Sequence, residues 1–463
     1  MKILPALMVF ALLSGCASMR PTDPYKPDDW GGCSSPTSRS GYQPIVVPEG
    51  PLTLQRAIEV ALINNPEVAA RGWDSTAAQA RQDQAFGARL PRLAAVGGYT
   101  RYLDDQRLIA ASRDGEPGLF GRDIVSGDLV LTMPLFTGGR LVNQVRAAEL
   151  LQEAAGHRLV RSREELVFNV SSVFFNILAQ RHVIESLRFS RQTLVEHLKR
   201  IDALVEAQKA ARVDRMRTDV RLTDIEQLLV REKNLLAIQR RALASLLGLE
   251  AQDREISPQG ELEAQQKELL PDSETALARA WKERGDYLAA RSSLEAQARN
   301  VDVAKSGHWP TVSVQGSYGG RLASGPTTGA GDDTGDVGRA GLVLEVPIFE
   351  GGQVDAGIRE QRANLAAAQE RLRLLDLQVR LEVETALFNV ESSAERAAAV
   401  RTSIAQAKES LRIEQQKYSL GKGAIVDVLD AQTALLETET TYYRVLADYH
   451  TAIAQLKLAM GEE

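Results

Sequence analysis

An internal duplication constrains the fold of this chain more than any other feature of its sequence. Residues Leu129–Gly139 read LVLTMPLFTGG, and residues Leu342–Gly352 read LVLEVPIFEGG. Ahead of each motif a proline, a glycine and a tyrosine recur in the same order: Pro91, Gly97 and Tyr99, then Pro310, Gly316 and Tyr318. Similarity that recurs at offsets of a little over two hundred residues indicates two copies of a structural unit. We expect the first repeat at 52–257 and the second at 273–463, joined by a connecting equatorial segment at 258–272.

Two segments of each repeat alternate between apolar and polar residues, which is the period of a strand with one apolar and one polar face. The predicted strands are Leu93–Tyr102, Leu129–Met133, Val312–Leu322 and Leu342–Val346. The segments between the strands of each pair are rich in Gly, Asp and Ser and are predicted to be loops: Asp104–Asp123 and Ala323–Asp336. Alternation of this kind fits the wall of a membrane barrel and fits a soluble sheet with one buried face equally well.

Very long helices follow the strands, because no proline lies between Pro134 and Pro258 or after Pro347. Two helices of about 100 Å are predicted, from Arg140 to about Gln208 and from Gln353 to about Ser419. Each has a return helix that ends at a glycine cap: Val213–Leu247 before Gly248, and Ile425–Met460 before Gly461. A straight antiparallel coiled coil would account for these helices but would leave the four strands without a role.

Each repeat opens with two shorter helices. In the first repeat the periodicity predicts Leu52–Asn64, with Thr53 as its N-cap, followed by a helix from Pro66 to about Gly87. In the second repeat we expect helices at Ser273–Arg284 and Tyr287–Ser306, separated by a break at Gly285–Asp286.

The N-terminus has the pattern of a lipoprotein export signal. Lys2 precedes the apolar stretch Ile3–Leu13, and Leu-Ser-Gly-Cys then ends at Cys16. This motif resembles the lipobox of bacterial lipoproteins, which implies that residues 1–15 are a signal peptide and that Cys16 carries covalent lipid. Residues 16–51 would then form a lipidated flexible tether. The alternative is an ordinary secretion signal with an incidental cysteine.

The remaining composition argues against several classes of function. A formal net charge of −6 gives no basis for binding nucleic acid. The histidines have no metal-ligand spacing, and neither a nucleophile elbow nor a phosphate loop is visible. We therefore expect no enzyme, no metal and no cofactor other than the lipid. Beyond the N-terminus no apolar stretch reaches about 20 residues, so any passage through a membrane has to use the strands.

Four strands in one chain are too few for a membrane barrel, since such barrels begin at about eight strands. Two chains would supply eight strands, whose interior is roughly filled by side chains, whereas three supply twelve and leave a lumen. The predicted fold class is therefore mainly α with a membrane β-barrel. Its duplicated β-β-α-α repeat forms a homotrimeric twelve-stranded barrel that continues into a long α-helical barrel.

These features together resemble the TolC-like outer membrane efflux protein family, and the lipobox places the chain in its lipoprotein branch. The most specific motifs are the duplicated P-x-F-x-G-G, the A-x(3)-A-x(4)-P-E at Ala57–Glu67, and YSLGKGAIVDVLDA at Tyr418–Ala431. The resemblance implies a homotrimer in the outer membrane of a Gram-negative bacterium. It also implies two partners, a periplasmic adaptor and an inner-membrane pump of the proton-driven or ABC type.

The same resemblance assigns roles to particular residues. Asp427 and Asp430 would form the pore gate and selectivity ring, and Tyr418, Gly421 and Gly423 would make contacts at the periplasmic tip. The simpler interpretation is that acidic side chains in the first turn of a helix stabilise that helix through a favourable interaction with its dipole. In the first repeat, Ala211 and Arg215 are the expected counterparts of Gly423 and Asp427. Six residues are expected to form the strand-to-helix turns: Pro134, Gly138, Gly139, Pro347, Gly351 and Gly352.

Two functional hypotheses follow from the sequence. The first is a passive exit duct of a tripartite efflux or type I secretion system, through which cargo crosses the periplasm and the outer membrane. The second is a lipid-anchored coiled-coil scaffold or adaptor in the periplasm, with its strands in a small soluble domain.

Overall fold

The computed structural model describes residues 51–109, 119–208, 211–249, 257–262, 270–324 and 333–462. The signal peptide expected at residues 1–15, the lipidation site Cys16 and nearly all of the tether lie outside these ranges.

Within the described residues, each repeat contains two short helices, two strands and two long helices. The elements of the first repeat are α1 (Leu54–Asn64), α2 (Pro66–Gly87), β1 (Arg92–Ile109), β2 (Leu119–Phe136), α3 (Arg140–Glu206) and α4 (Arg212–Leu246). The elements of the second are α5 (Ser273–Glu283), α6 (Gly285–Lys305), β3 (Thr311–Ser324), β4 (Asp333–Glu345), α7 (Gln353–Ser419) and α8 (Ile425–Met460). The long helices of the second repeat begin 213 residues after those of the first.

The predicted helices are confirmed, and α7 and α8 have the bounds expected from the sequence. The Thr53 side chain caps α1 by accepting a hydrogen bond from the backbone N–H of Arg56 at 3.4 Å. Gly248 and Gly461 follow the return helices with φ of 68° and 79°. In both cases the next N–H bonds back into the last helical turn, which satisfies carbonyls that the helix leaves unpaired.

The break between α5 and α6 lies one residue earlier than predicted. Arg284, not Gly285–Asp286, has the extended conformation, and Gly285 already begins α6. A Cβ atom on Gly285 would lie 2.5 Å from the carbonyl oxygen of His157, so the missing side chain allows α6 to approach α3 closely. The glycine therefore serves packing between helices and does not interrupt one.

The strands are longer than predicted and include the outer parts of the predicted loops 104–123 and 323–336. The middles of those loops, 110–118 and 325–332, lie outside the described residues. Strands β1 and β2 remain paired out to Ile109 and Leu119, with irregularities after Arg101 and Arg107. Pairing uses backbone groups, so polar residues can continue a hairpin after the apolar alternation has faded.

The four strands form one antiparallel sheet in the order β1-β2-β3-β4, and the central pair β2–β3 joins the two repeats. Residues paired across strands share a face, and the predicted alternation is confirmed by this register. One face carries apolar side chains that include Leu93, Leu129, Leu131, Tyr318 and Leu342. The opposite face is polar, and there Arg321 pairs with Asp128 at 2.7 Å, which links β3 to β2.

The short helices α1 and α5 form a second layer on the long helices. Buried residues of α1 share a core with α3 and α4, and those of α5 share a core with α7 and α8. A third core, nearer the helical tips, joins α3, α4 and α8. No helix in the described ranges has both the length and the apolar character needed to cross a membrane.

In each repeat, the residue at the break between the two short helices forms a hydrogen bond with a carbonyl near the C-terminus of the return helix. In the first repeat the Asn65 side chain caps α2 and donates from Nδ2 to the carbonyl of Leu246 at 3.0 Å. In the second repeat the Arg284 side chain donates to the carbonyl of Ala459 at 3.5 Å. Leu246 and Ala459 are 213 residues apart, so the two contacts are equivalent.

Arg284 is the buried centre of a network of charged side chains. The equivalent position of the first repeat is the neutral residue Asn65. Arg284 is 1% exposed and pairs with Asp286 at 2.8 Å and with Glu382 at 2.5 Å. Burial alone would raise the pKa of Asp286, but the hydrogen bond and charge of Arg284 hold that pKa below its ordinary value. Nearby, burial raises the pKa of Glu164 despite its pairing with Arg161 at 3.3 Å.

Candidate functional site: the turn between the last two helices

The turn from α7 to α8 is built around two glycines. Gly421 has φ of 70°, and the N–H of Lys422 bonds to the carbonyl of Lys417 at 2.9 Å, which closes the end of α7. A Cβ atom on Gly423 would lie 3.0 Å from that of Lys417. The first glycine thus supplies a left-handed conformation and the second supplies space.

The two acids of α8 lie on its solvent-facing side. Ile425, Val428 and Leu429 are buried in the core shared with α3 and α4, whereas Asp427 and Asp430 are exposed. Residues three apart in a helix are neighbours on one face, so the two carboxylates form a single acidic patch. Asp427 also accepts a hydrogen bond from the backbone N–H of Ala424 at 3.3 Å, so it caps the helix.

Tyr418 connects this turn to the first repeat. Its ring is half-buried in the core shared with α3 and α4. Burial raises the pKa of Tyr418, and the negative charge of Asp214 raises it further. The hydroxyl therefore keeps its proton at neutral pH and is available as a hydrogen-bond donor at the tip.

The equivalent turn of the first repeat has a different construction. Gln208 adopts φ of 60° at the position of Gly421, although it is not a glycine. Arg215 pairs across the turn with Asp202 at 2.7 Å. In the first turn an ion pair between side chains links α3 to α4, whereas in the second turn the backbone at Gly423 packs closely against Lys417.

The expected correspondence between the two turns was wrong by one residue. The N-caps Ala211 and Ala424 are 213 apart, so Asp214 corresponds to Asp427 and Arg217 to Asp430. Sequence reasoning had aligned Arg215 with Asp427 and therefore missed Asp214. The N-cap positions set this register, and alanine is a weak capping signal in a sequence.

The strand-to-helix turns have matching backbones in the two repeats. Gly138 and Gly139 have φ of 61° and 84°, and Gly351 and Gly352 have φ of 62° and 78°. Pro134 lies within β2 where the pairing with β3 becomes irregular, and Pro347 lies two residues beyond the end of β4. In each turn the glycine pair forms the bend that leads from the strand into the long helix.

The described residues contain no arrangement of side chains for holding a metal. Within those ranges no three His, Cys, Asp or Glu side chains are grouped closely enough to bind an ion. Exposed carboxylates at a narrow opening attract cations and repel anions. Such an effect requires copies of the tip to face each other.

Comparison with known proteins identifies the architecture. The family model described as "Outer membrane efflux protein" matches residues 57–249 and 276–462. The chain is 25% identical over 445 residues to outer membrane protein TolC of Escherichia coli, covering 92% of this chain and 84% of TolC. It is 25% identical over 476 residues to OprJ of Pseudomonas aeruginosa, covering 98% of this chain and 94% of OprJ.

The fold agrees with a solved outer membrane protein. The structure of VceC from Vibrio cholerae matches with a TM-score of 0.73 at 19% identity, covering 88% of this chain and 96% of VceC. The family match falls in two blocks, and each block lies within one of the repeats described above. The chain therefore belongs to the outer membrane efflux protein family.

Proposed function

We propose that three copies of this protein form the exit duct of a tripartite efflux or type I secretion system. In this proposal the pooled strands cross the outer membrane of a Gram-negative bacterium and the long helices continue the passage through the periplasm. The family is one of channel proteins, and in this proposal the duct itself is passive. The adaptor and the inner-membrane pump, proton-driven or ABC, would supply selection and energy.

The sheet is the first support for this assembly. Both its outer strands, β1 and β4, are paired on one side only within the described residues. An exposed strand edge is a template for pairing with another chain. Four strands also cannot close on themselves, whereas twelve strands from three chains enclose a lumen. The apolar face would then meet lipid, and the face with Asp128 and Arg321 would meet water.

The single observation that carries the proposal is the difference between the two strand-to-helix turns. A Cβ atom on Gly138 would lie 2.5 Å from that of Trp309, so the first turn is packed against the second repeat. A Cβ atom on Gly351 would meet nothing within 4 Å. Phe349 in the second turn is 87% exposed, whereas its counterpart Phe136 is 45% exposed.

A neighbouring copy would supply the missing partner of the second turn. Leu90 precedes Pro91 just as Trp309 precedes Pro310, so the repeat symmetry places Leu90 of the next copy against Gly351. Such an interface joins two different surfaces of the same chain, and a contact of this kind forms a ring when the rotation between copies closes, as it does for three copies related by a threefold axis. The exposed apolar side chains Leu381 and Phe388 on α7 would be covered in the same way.

The tip is the proposed gate of this duct. Three copies would place Asp427 and Asp430 in two stacked acidic rings at the periplasmic opening, with Tyr418, Gly421 and Gly423 shaping the turn that carries them. Like charges repel, so a closed tip depends on other contacts and a bound adaptor can open it. The lipid on Cys16, outside the described residues, would add an anchor in the outer membrane.

Detergent dependence and conductance test this function together. A variant with Cys16 replaced by Ser lacks the lipid attachment site. We expect it to remain insoluble without detergent and to form ion-conducting pores in planar bilayers. A variant that is soluble, monomeric and unable to conduct would support the periplasmic scaffold instead.

A further inference from the structure

A cavity with basic walls lies on the layer formed by the short helices, away from the tip and from the strands. It has a volume of about 910 Å³ and lies between α3, α4 and the segment 257–262. Two arginines of α3, Arg181 and Arg188, line it, and so do Lys233 and Arg240 of α4. In each helix the two cations are seven residues apart, which corresponds to about 10 Å.

Two of these cations are available for a ligand. Arg181 donates to the carbonyl of Pro258 at 2.5 Å and thereby fixes the wall of the cavity. Among the residues that the structure describes, neither Arg188 nor Lys233 has a hydrogen-bond or ion-pair partner. Two carboxylates share the lining, and one of them, Glu185, pairs with His182 at 3.3 Å.

The second repeat contains no equivalent of this basic lining. The residues 213 positions after Arg181, Lys233 and Arg240 are Ala394, Leu446 and Ile453. Leu446 is fully buried in the core. The long helices alone therefore do not require cations at these positions, although Arg181 is held by the carbonyl of Pro258 beside the first repeat. Arg188 does have a basic counterpart, Arg401. The cations Arg188 and Lys233, unpaired within the described residues, therefore occur together in only one of the two repeats, which indicates a role in binding and not in stabilising the repeat.

The position of the cavity indicates where its ligand would be found, and this step rests on the proposed function. Segment 257–262 pairs with the residues before α1, where Gln259 donates its backbone N–H to Leu52 at 2.9 Å. Because this second layer has to leave the lumen open, it lies on the outer surface of the ring. Arg188 is about 70 Å along the helical axis from the start of α3, which places it well inside the periplasm.

We propose that this cavity binds carboxylate groups of the cell-wall peptides that surround the duct. A duct through the periplasm has to pass a polymer mesh that carries carboxylates at regular intervals. Arginine and lysine form charge-assisted hydrogen bonds with carboxylates, and Arg188 can do so in bidentate fashion. A trimer presents three such cavities at equal angles, so contacts with the mesh would centre the duct within it.

Co-sedimentation with purified peptidoglycan sacculi tests this proposal. The full-length trimer in detergent is expected to pellet with sacculi at low salt and to be released at high salt. Arg188→Glu combined with Lys233→Glu should weaken retention by about tenfold or more, because two charge-assisted contacts become repulsive. Arg188→Glu alone should weaken retention in part, and its matched control Arg401→Glu, at the equivalent position of the second repeat, should be retained like the native protein.

Three further outcomes decide the matter. The native protein should not sediment with sacculi whose carboxyl groups have been converted to amides. Sedimentation with these sacculi would overturn the proposal. Equal retention of the double variant would overturn it as well. Loss of retention after the sacculi have been treated with protease would assign the cavity to an acidic protein and contradict a cell-wall ligand.

The same preparations separate this proposal from the proposed function. The double variant should form channels of native conductance in planar bilayers, because its substitutions lie on the outer surface. Intact channels that never sediment with sacculi would refute the cell-wall contact alone. A native protein that forms no channels would instead refute the duct.

Discussion

The two repeats have the same backbone plan, but one is completed within the chain and the other is not. The turn at Gly138 is enclosed by the side chain of Trp309, whereas the turn at Gly351 faces open space. The break residue shows a second difference, because Asn65 is a neutral cap and Arg284 is a buried cation. Local sequence therefore determines the shape of each repeat, while its packing depends on which neighbour it meets.

The largest expected effect concerns the two break residues. Replacing Arg284 by Ala removes a buried guanidinium and its charge-assisted hydrogen bonds to Asp286 and Glu382, each of which contributes about 1.5–3 kcal/mol. Replacing Asn65 by Ala removes a neutral cap and one hydrogen bond, at a cost of about 1–2 kcal/mol. Thermal unfolding of the trimer in detergent measures both. Equal losses would mean that the charged network adds nothing to the second repeat.

The glycine turns provide the next test. Gly138→Ala combines left-handed strain of about 1–2 kcal/mol with a collision against Trp309, for a total of about 3 kcal/mol. In an isolated chain Gly351→Ala would cost only the energy of the left-handed strain, because no side chain among the described residues lies against Gly351. In the assembled trimer we expect its cost to approach that of Gly138→Ala, because a neighbouring Leu90 occupies the space.

Unfolding of the two alanine variants in the assembled protein distinguishes these cases. A Gly351→Ala trimer that loses only about 1 kcal/mol would show that no copy covers the second turn.

The acidic tip of the second repeat is expected to affect ion selection. Asp427→Asn combined with Asp430→Asn removes the charges but keeps an oxygen that can cap α8. Single-channel recordings should show higher conductance and a cation preference lower by about twofold or more. Asp74→Asn combined with Asp83→Asn, on α2 and distant from the tip, is the charge-matched control. Unchanged selectivity in the double variant would leave Asp427 with its capping role only.

The smallest expected effects come from substitutions in the turns at the two helical tips, and they have opposite signs. Gln208 is in the left-handed region that favours glycine, so Gln208→Gly should stabilise the first tip by about 0.5–1 kcal/mol. Gly421→Ala at the equivalent position should destabilise the second tip by about 1 kcal/mol. Hydrogen exchange of the amides at each tip measures the two changes separately. A loss of protection in Gln208→Gly would contradict this reading of the first turn.

The sequence predicted those parts of the fold that have local signals. The bounds of α7 follow from Gly351–Gly352 before it and Gly421 after it, since each glycine adopts a conformation that other residues resist. Alternation located the strands but not their ends, because backbone pairing continues to Ile109 among polar residues. The break at Arg284 was misplaced because a glycine needed for close packing looks the same in a sequence as one that interrupts a helix.

The parts that the sequence did not predict depend on contacts between distant residues. Arg284 meets Glu382 across 98 positions, and no local pattern marks either as a partner of the other. The same holds for the basic cavity, whose cations come from α3 and α4 and become neighbours only when those helices pair. Asp214 was missed because its register depends on the N-cap at Ala211.

Imaging of the purified full-length protein in detergent tests the central claim most directly. We predict a particle with threefold symmetry and a hollow axis, in which β4 of each copy pairs with β1 of the next and Leu90 covers the neighbouring Gly351. A monomeric particle, or an oligomer whose axis is filled and lacks threefold symmetry, would contradict it.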